Sequence, residues 1–337
     1  MTSMTAQSSC AEPAHLRAGV IGAGVFGGHH ARKYAAAPAV TLSGVYDADP
    51  ARAAALADAL GAPVFDDFSG FFGAVDVVTI AAPAAAHGSL ARAALRAGKH
   101  VYIEKPVATD ADDAHEIAAL AAAEARVVQV GHQERFVAEA VGALALAADA
   151  DAVTFERCGP PSGRCEEISA ALDLMIHDLD LARRLGWGGP ETVEASGSAH
   201  ETTARLTFAG GRTATFVASR RALTQRRAMT FSRDGGPETE FDFASRRLVG
   251  AAAVAHEAAT GHPALDDPLG YGVAQFLSAV RDGTDAPITA ADGAGALDWA
   301  LRVEAARAQT QAASGDAVAA GRGRPPGVKP ASYGAVA

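Results

Sequence analysis

A lysine, an Asp–His pair, a glycine loop and one acidic strand tip are the residues of this chain whose types and spacing could do chemistry. The lysine is Lys105, in Gly98-Lys99-His100-Val101-Tyr102-Ile103-Glu104-Lys105-Pro106. The apolar run Leu90 to Ala97 reads as a helix that stops at Gly98, the residue expected just past a helix C-terminus. His100 to Ile103 then reads as a short buried strand. Pro106 ends it, because proline cannot donate to the ladder and biases Lys105 away from helical geometry. One lysine thus stands at the C-terminal mouth of a strand, the edge where open α/β sheets bind ligands. Side chains alternate along a strand, so Glu104 and Lys105 should face different ways. Taken alone, a Lys-Pro is an ordinary surface lysine before a turn. Its place in the chain gives it weight.

The Asp–His pair lies in a helix expected over Ser169 to Leu185, ended by Gly186. Asp173 and His177 are four residues apart and project from one face, with Asp180 close to it. Leu172, Leu174, Ile176, Leu179 and Leu181 cover most of the rest. Ionisable groups on a mostly apolar helix are costly unless paired or used. The plain alternative is a helical Asp–His pair worth a few tenths of a kcal/mol.

The glycine loop is Gly22-Ala23-Gly24-Val25-Phe26-Gly27, between a strand (Leu16 to Ile21) and a helix (Gly28 to Ala37). The spacing is that of a dinucleotide fingerprint. Gly22 permits the tight turn, Gly24 lets the backbone approach a pyrophosphate, and Gly27 lets helix and strand pack closely. The helix N-terminus offers N–H groups and a positive dipole to phosphates. The motif alone is weak, but here it follows a strand and opens a helix. A second strand, Val40 to Tyr46, ends at Asp47, where a carboxylate suits the ribose hydroxyls of NAD and repels the 2′-phosphate of NADP. Asp49-Pro50 could cap the next helix, and Arg52 could in principle hold a phosphate. NAD is the expected cofactor, with NADP second.

These residues need a scaffold, and the βα rhythm supplies one. Pro50 to Leu60 is helical, Pro63 to Phe65 a short strand, Asp67 to Phe72 a short helix and Val75 to Ala81 a strand. After Ala82-Pro83, a helix runs from His87 to Ala97. The lysine strand follows, then a helix (Ala111 to Ala125) and a strand (Val127 to Val130). Alternation of this kind implies a doubly wound parallel sheet. The glycine loop, Asp47, Pro83 to His87 and Lys105 should all lie on one edge. His87 could meet a cofactor there or could simply pack. His29 and His30 read as packing.

Beyond Val130 the pattern changes. A helix is expected to about Ala148, then strands over Asp151–Arg157, Thr192–Ser198, Ala204–Phe208, Thr213–Ser219, Arg227–Ser232 and Glu238–Phe243. They imply an open antiparallel sheet of five or six strands with the Ser169–Leu185 helix on one face. The other face must be solvated or covered by a neighbouring subunit. Helices at Gly270 to Arg281 and Gly293 to Ala313 should return to the first domain. The expected division is 14–131, 132–313 and a mobile tail or extended arm over 314–337, rich in glycine, proline and alanine.

Composition sets the outer bounds. The chain has 337 residues, 49% hydrophobic and 20% charged, so it should be globular with a large core. Its net charge of −10 argues against nucleic acid or an anionic membrane as partner. No apolar run is long enough to span a membrane, and Met1 to Pro13 does not read as a signal peptide. The three cysteines, Cys10, Cys158 and Cys165, suggest no disulfide framework and no metal site, which fits a reducing cytoplasm.

Taken in order, Gly22/Gly24/Gly27, Asp47, Pro83…His87, Glu104-Lys105-Pro106, Gly131-His132…Arg135-Phe136 and Asp173…His177 resemble the Gfo/Idh/MocA oxidoreductases over roughly residues 16–312. The resemblance implies an α/β Rossmann domain followed by an α+β domain with an open antiparallel sheet. It implies oxidation or reduction of a sugar, inositol or related polyol carbon with a nicotinamide cofactor; the uncovered sheet face itself makes a homodimer or homotetramer joined through that face the expected assembly. Lys105, Asp173 and His177 match the catalytic positions, and Lys105-Pro106 matches a peptide that is often cis. His132 and Arg135 join them as candidate substrate contacts. Gly22, Gly24, Val25, Phe26, Gly27, Asp47, Pro83, His87, Glu104 and Lys105 are candidate cofactor contacts. The wording around His132 and His177 is similar to the branch holding nucleotide-sugar 3-dehydrogenases. His177 is the expected base, since its ordinary pKa near 6.5 suits neutral pH whereas a lysine would need a large depression. The rival reading is a non-catalytic dinucleotide sensor that keeps the fold.

Overall fold

A computed structural model describes residues 14–161, 163, 166–250 and 261–321, with side chains up to residue 313. Its first half is strand-helix alternation: β1 (Leu16–Ile21), α1 (Val25–Ala36), β2 (Val40–Tyr46), α2 (Pro50–Leu60), α3 (Phe68–Ala74), β3 (Val77–Ile80), α4 (Ala84–Arg96), β4 (His100–Ile103), α5 (Ala111–Ala123) and β5 (Val128–Val130). Aspartates start three of these helices. Asp49, Asp67 and Asp110 accept from first-turn N–H groups of α2, α3 and α5. The strands pair in parallel in the order β2-β1-β3-β4-β5. Every residue of β3 is buried, as expected of a sheet covered on both faces. The expected strand at Pro63 to Phe65 is only a single bridge, Val45 to Val64.

The second half continues with α6 (Gln133–Ala140), α7 (Ala143–Ala147), β6 (Ala152–Cys158), a π-helical stretch (Ala171–Met175), α8 (Ile176–Arg183), β7 (Thr192–Gly197), β8 (Glu201–Thr207), β9 (Thr213–Ser219), β10 (Arg226–Ser232), β11 (Thr239–Asp242), β12 (Arg247–Gly250), α9 (Pro263–Asp266), α10 (Pro268–Asp282) and α11 (Ala290–Gly321). Its sheet has seven strands in the order β12-β11-β10-β6-β9-β8-β7. This corrects the expected antiparallel sheet of five or six, because β6 and β9 run parallel. A parallel pair needs a crossover, and here the segment from the π stretch through β8 makes it. The added strand, β12, is short and mostly exposed and lacks the apolar alternation that marks the others.

Two expected helices differ. The one drawn to Ala148 breaks at Gly142, which has φ +69°, into α6 and α7. The one drawn over Ser169 to Leu185 begins with π turns. Their i→i+5 bonds make a wider turn than 3.6 residues, which brings positions four apart closer to vertical alignment. As expected, the last helices return to the first domain: α10 packs on α1, and on α6 of the second half, and α11 packs on α5. α11 also lies along β7 and α8, so it holds both sheets to one core. It continues to Gly321, where a tail from residue 314 was expected; residues 322–337 lie outside the described part, as do Cys10 and Cys165. No described helix is long and apolar enough to cross a membrane.

Candidate active site

β4 delivers Lys105 at its C-terminal end, through a cis peptide to Pro106. The Lys105 Nζ donates to Asp173 twice, to the carboxylate Oδ1 and to the main-chain carbonyl, both at 2.8 Å. The other carboxylate oxygen of Asp173 accepts from Arg220 Nη2 at 3.0 Å. Arg220 follows directly on β9 and also donates to the carbonyls of Ile168 and Ser169. Burial alone would raise the Asp173 pKa, but the charges and hydrogen bonds of Lys105 and Arg220 outweigh it and hold the carboxyl below its usual range.

His177 follows four residues later and is half-buried, with its Nδ1 buried and unpartnered among the described residues. Burial pushes its pKa well below 6.5, and the positive charges of Lys105, Arg157 and Arg227 push it further. The imidazole is therefore neutral at neutral pH and able to accept a proton. His132, at the N-terminus of α6, packs edge to face on it with centroids 5.9 Å apart. Thus an amine from the first sheet and an imidazole from behind the second sheet share one neighbourhood.

The same edge carries the glycine loop. Gly22 sits at φ +98°, and a Cβ there would lie 2.6 Å from the Ala81 carbonyl oxygen. A Cβ at Gly27 would lie 1.7 Å from the Gly22 carbonyl oxygen. Only glycine fits either position. Gly24 is different, with open space on its Cβ side, as a backbone that must approach a pyrophosphate requires. Helix α1 has no side-chain cap, so its first N–H groups, at exposed Val25 and Phe26, remain for an anion. Asp47 accepts from Ala23 N at 2.6 Å, which ties the loop to the tip of β2. These residues fit a dinucleotide: loop and α1 for the pyrophosphate, Asp47 for the adenosine ribose.

The family model described as an oxidoreductase family with an NAD-binding Rossmann fold matches residues 16–132. The UDP-N-acetylglucosamine 3-dehydrogenase of Acidithiobacillus ferrooxidans is 37% identical over 214 residues, 61% of this chain and 67% of that protein. Its solved structure superposes with a TM-score of 0.78 and 32% identity, covering 87% of this chain and 98% of that one. The chain belongs to the Gfo/Idh/MocA oxidoreductase family. An inositol 2-dehydrogenase of Saccharopolyspora erythraea is 31% identical over 180 residues, although this alignment spans only 53% of that relative. GenD2 from gentamicin A biosynthesis, solved with NAD, shares the fold at a TM-score of 0.76 and 23% identity. Nothing among these relatives favours the non-catalytic sensor.

Within this Gfo/Idh/MocA chain, four candidate contacts are placed elsewhere, the first being His132, which is 1% exposed and packed against His177. Arg135 is 2% exposed, and its guanidinium is taken by Asp180, by Asp292 at 3.2 Å and by the Pro287 carbonyl, so it braces helices instead of meeting substrate. His87 is 2% exposed, sealed between the carbonyls of Pro106 at 2.7 Å and Ala82 at 2.8 Å, where it supports the turn after Lys105. Glu104 turns inward, as alternation along β4 demands, and accepts from His30 at 2.8 Å and Gln133 at 3.1 Å. Burial opposes its charge, but the His30 hydrogen bond and nearby positive charges keep the carboxyl low. Pro83 remains exposed at the edge, at the head of α4.

Nothing in the sequence decides whether Arg157 and Arg220 select substrate or face solvent, and the structure buries both, at 4% and 9% exposure. Arg157 holds Asp178 through three hydrogen bonds of 2.7–3.2 Å and Glu134 at 3.0 Å, directly beneath the site. The available signal was position alone: both stand near the ends of strands β6 and β9, which are paired neighbours.

Asp47→Ser should weaken NAD and relieve the repulsion of NADP. Arg52, whose side chain is 60% exposed beside Asp47 at 3.2 Å, then becomes available to a 2′-phosphate. Loss of hydrogen bonds to a charged group costs about 1.5–3 kcal/mol, so the NAD/NADP preference should shift by about ten- to a hundredfold. Binding titrations of both cofactors check this, and an unchanged ratio contradicts the assignment of Asp47.

Proposed function

We propose that this chain is an NAD-dependent dehydrogenase acting on a secondary alcohol of a sugar, inositol or sugar derivative, with a UDP-linked amino sugar the first substrate to test. The observation that carries the reading is Lys105 Nζ, fixed 2.8 Å from Asp173 beside the neutral imidazole of His177, on the edge that bears the glycine loop. NAD, when bound there, supplies the acceptor for the hydride that leaves the alcohol carbon. His177 takes the hydroxyl proton as the C=O bond forms. Lys105 donates a hydrogen bond to the same oxygen and stabilises its developing charge. Asp173, with one oxygen on Lys105 and the other on Arg220, orients the amine. The relative that supports the choice of first substrate is the UDP-N-acetylglucosamine 3-dehydrogenase, matched along nearly its whole structure.

The open sheet face joins two or four copies in this reading. Its outward residues, such as Thr154, Thr215 and Thr230, are only half-buried and lie side by side across β6, β9 and β10. Absence of a disulfide framework favours a reducing cytoplasm.

The test is the purified protein with NAD and a panel of UDP-sugars, inositols and free sugars, followed by NADH absorbance, with light scattering on the same sample. Turnover on at least one member and a mass of two or four chains are expected. NAD binding without turnover on any polyol would instead support the sensor.

A further inference from the structure

Buried imidazole nitrogens without a hydrogen-bond partner among the described residues cluster at this site. They are Nδ1 of His177 and both ring nitrogens of His132. Such groups normally find partners, so each one calls for a use. His132 is 1% exposed and lies too deep to touch a ligand, whereas His177 is half-buried. Because Nδ1 of His177 is the buried nitrogen, Nε2 is left for the cleft.

A neutral imidazole accepts a proton at one nitrogen only while the other carries hydrogen, and the partner of that inner nitrogen decides which tautomer exists. Here the groups acting on His177 are Lys105 from β4, Arg157 from β6, Arg227 from β10 and His132. The three cations have no lone pair to offer. The nearby carboxylates are occupied, Asp173 by Lys105 and Arg220, and Asp178 by Arg157. Among the described groups that act on His177, His132 is the one with a lone pair to offer. It is itself surrounded by Asp180, Arg135, Lys105 and Glu104, and burial keeps it neutral, with a lone pair on one nitrogen.

We propose that His132 is the positioning residue of His177: a ring nitrogen of His132 accepts the proton of His177 Nδ1 and fixes the tautomer whose Nε2 lone pair faces the substrate. This rests on the reading of His177 as the base. The edge-to-face contact, with the ring planes at 90° and the centroids 5.9 Å apart, holds the two imidazoles side by side without a hydrogen bond; the bond forms when the rings turn nitrogen to nitrogen and close to about 5 Å between centroids, which brings the nitrogens to hydrogen-bond distance.

The test reads the tautomer directly. In ¹⁵N-labelled protein with NAD added at neutral pH, His177 signals are identified by their loss in His177→Gln. Protonated Nδ1 and bare Nε2 are expected for His177. A proton on Nε2 overturns the proposal, whether or not any substrate is known. In turnover, His132→Phe keeps a ring but no lone pair, and should lower kcat about ten- to a hundredfold with little change in KM. His132→Asn restores an acceptor and should regain most of that loss. A purely structural role for His132 gives the reverse order, because Phe fills the space better, and that order also overturns the proposal. If the unsubstituted protein turns over no polyol, the functional reading fails, while the tautomer measurement still decides this one.

Discussion

His177→Asn should lower kcat/KM by about 10²- to 10⁴-fold, the span of a lost general base. Lys105→Met should lower it by about 10²- to 10³-fold, the effect of removing one donor to a developing oxyanion. The two losses should combine to less than their product, since both act on one oxygen. The pH profile separates the roles. kcat/KM reports the free enzyme, and there burial and the neighbouring cations push His177 well below 6.5. A lowered pKa favours the neutral form, so activity is complete at neutral pH and is lost only as pH falls through the depressed value. The acid limb should therefore centre below pH 6.5 in the parent protein and be absent from His177→Asn. A limb centred above 6.5 would contradict the environment assigned to this imidazole. Stability follows the same sign. The unfolded chain binds protons at His177 near 6.5 and the folded chain does not, so this contribution is present above about pH 6.5 and declines below it.

Arg135→Met should be the most destabilising single change near the site. Arg135 joins α6 to Asp180 on α8 and to Asp292 at the start of α11, and both Arg135 and Asp180 are removed from water. Burial alone would raise the Asp292 pKa, but Arg135 and Thr289 hold it below the usual carboxylate range. Without the guanidinium, Asp180 is a buried charge with no counter-ion, a loss of about 3–5 kcal/mol. The corresponding fall in Tm is on the order of 5–15 °C. Adding Asp180→Leu should recover more than half of it, because the uncompensated carboxylate goes too. Calorimetry of the single and double variants checks both statements. A single variant melting with the parent would mean that the cluster contributes little.

The sensor reading loses ground for a physical reason. A protein that only bound dinucleotide would need the glycine loop and Asp47. It would not need an amine held by two hydrogen bonds beside an imidazole whose charge is suppressed.

What the sequence determined by itself was local. The spacing of Gly22, Gly24 and Gly27 between a strand and a helix encodes its own turn, because sterics at those positions depend on a few neighbouring residues. Strand and helix periodicities placed Lys105 at a strand mouth, and the four-residue step placed Asp173 beside His177. Tertiary structure alone decided where the charges go. Arg220 meets Asp173, Arg157 meets Asp178 and Arg135 meets Asp180 across gaps of 47, 21 and 45 residues. Such partners are chosen by the register of β6 beside β9 and by helix packing, neither of which leaves a periodic mark in the chain. Likewise, the resemblance made Glu104 a candidate cofactor contact, and the position of His87 after a strand end left it open between meeting the cofactor and packing. Burial turned both inward, where a desolvated carboxylate or imidazole must find protein partners, and so made them supports for Lys105 instead.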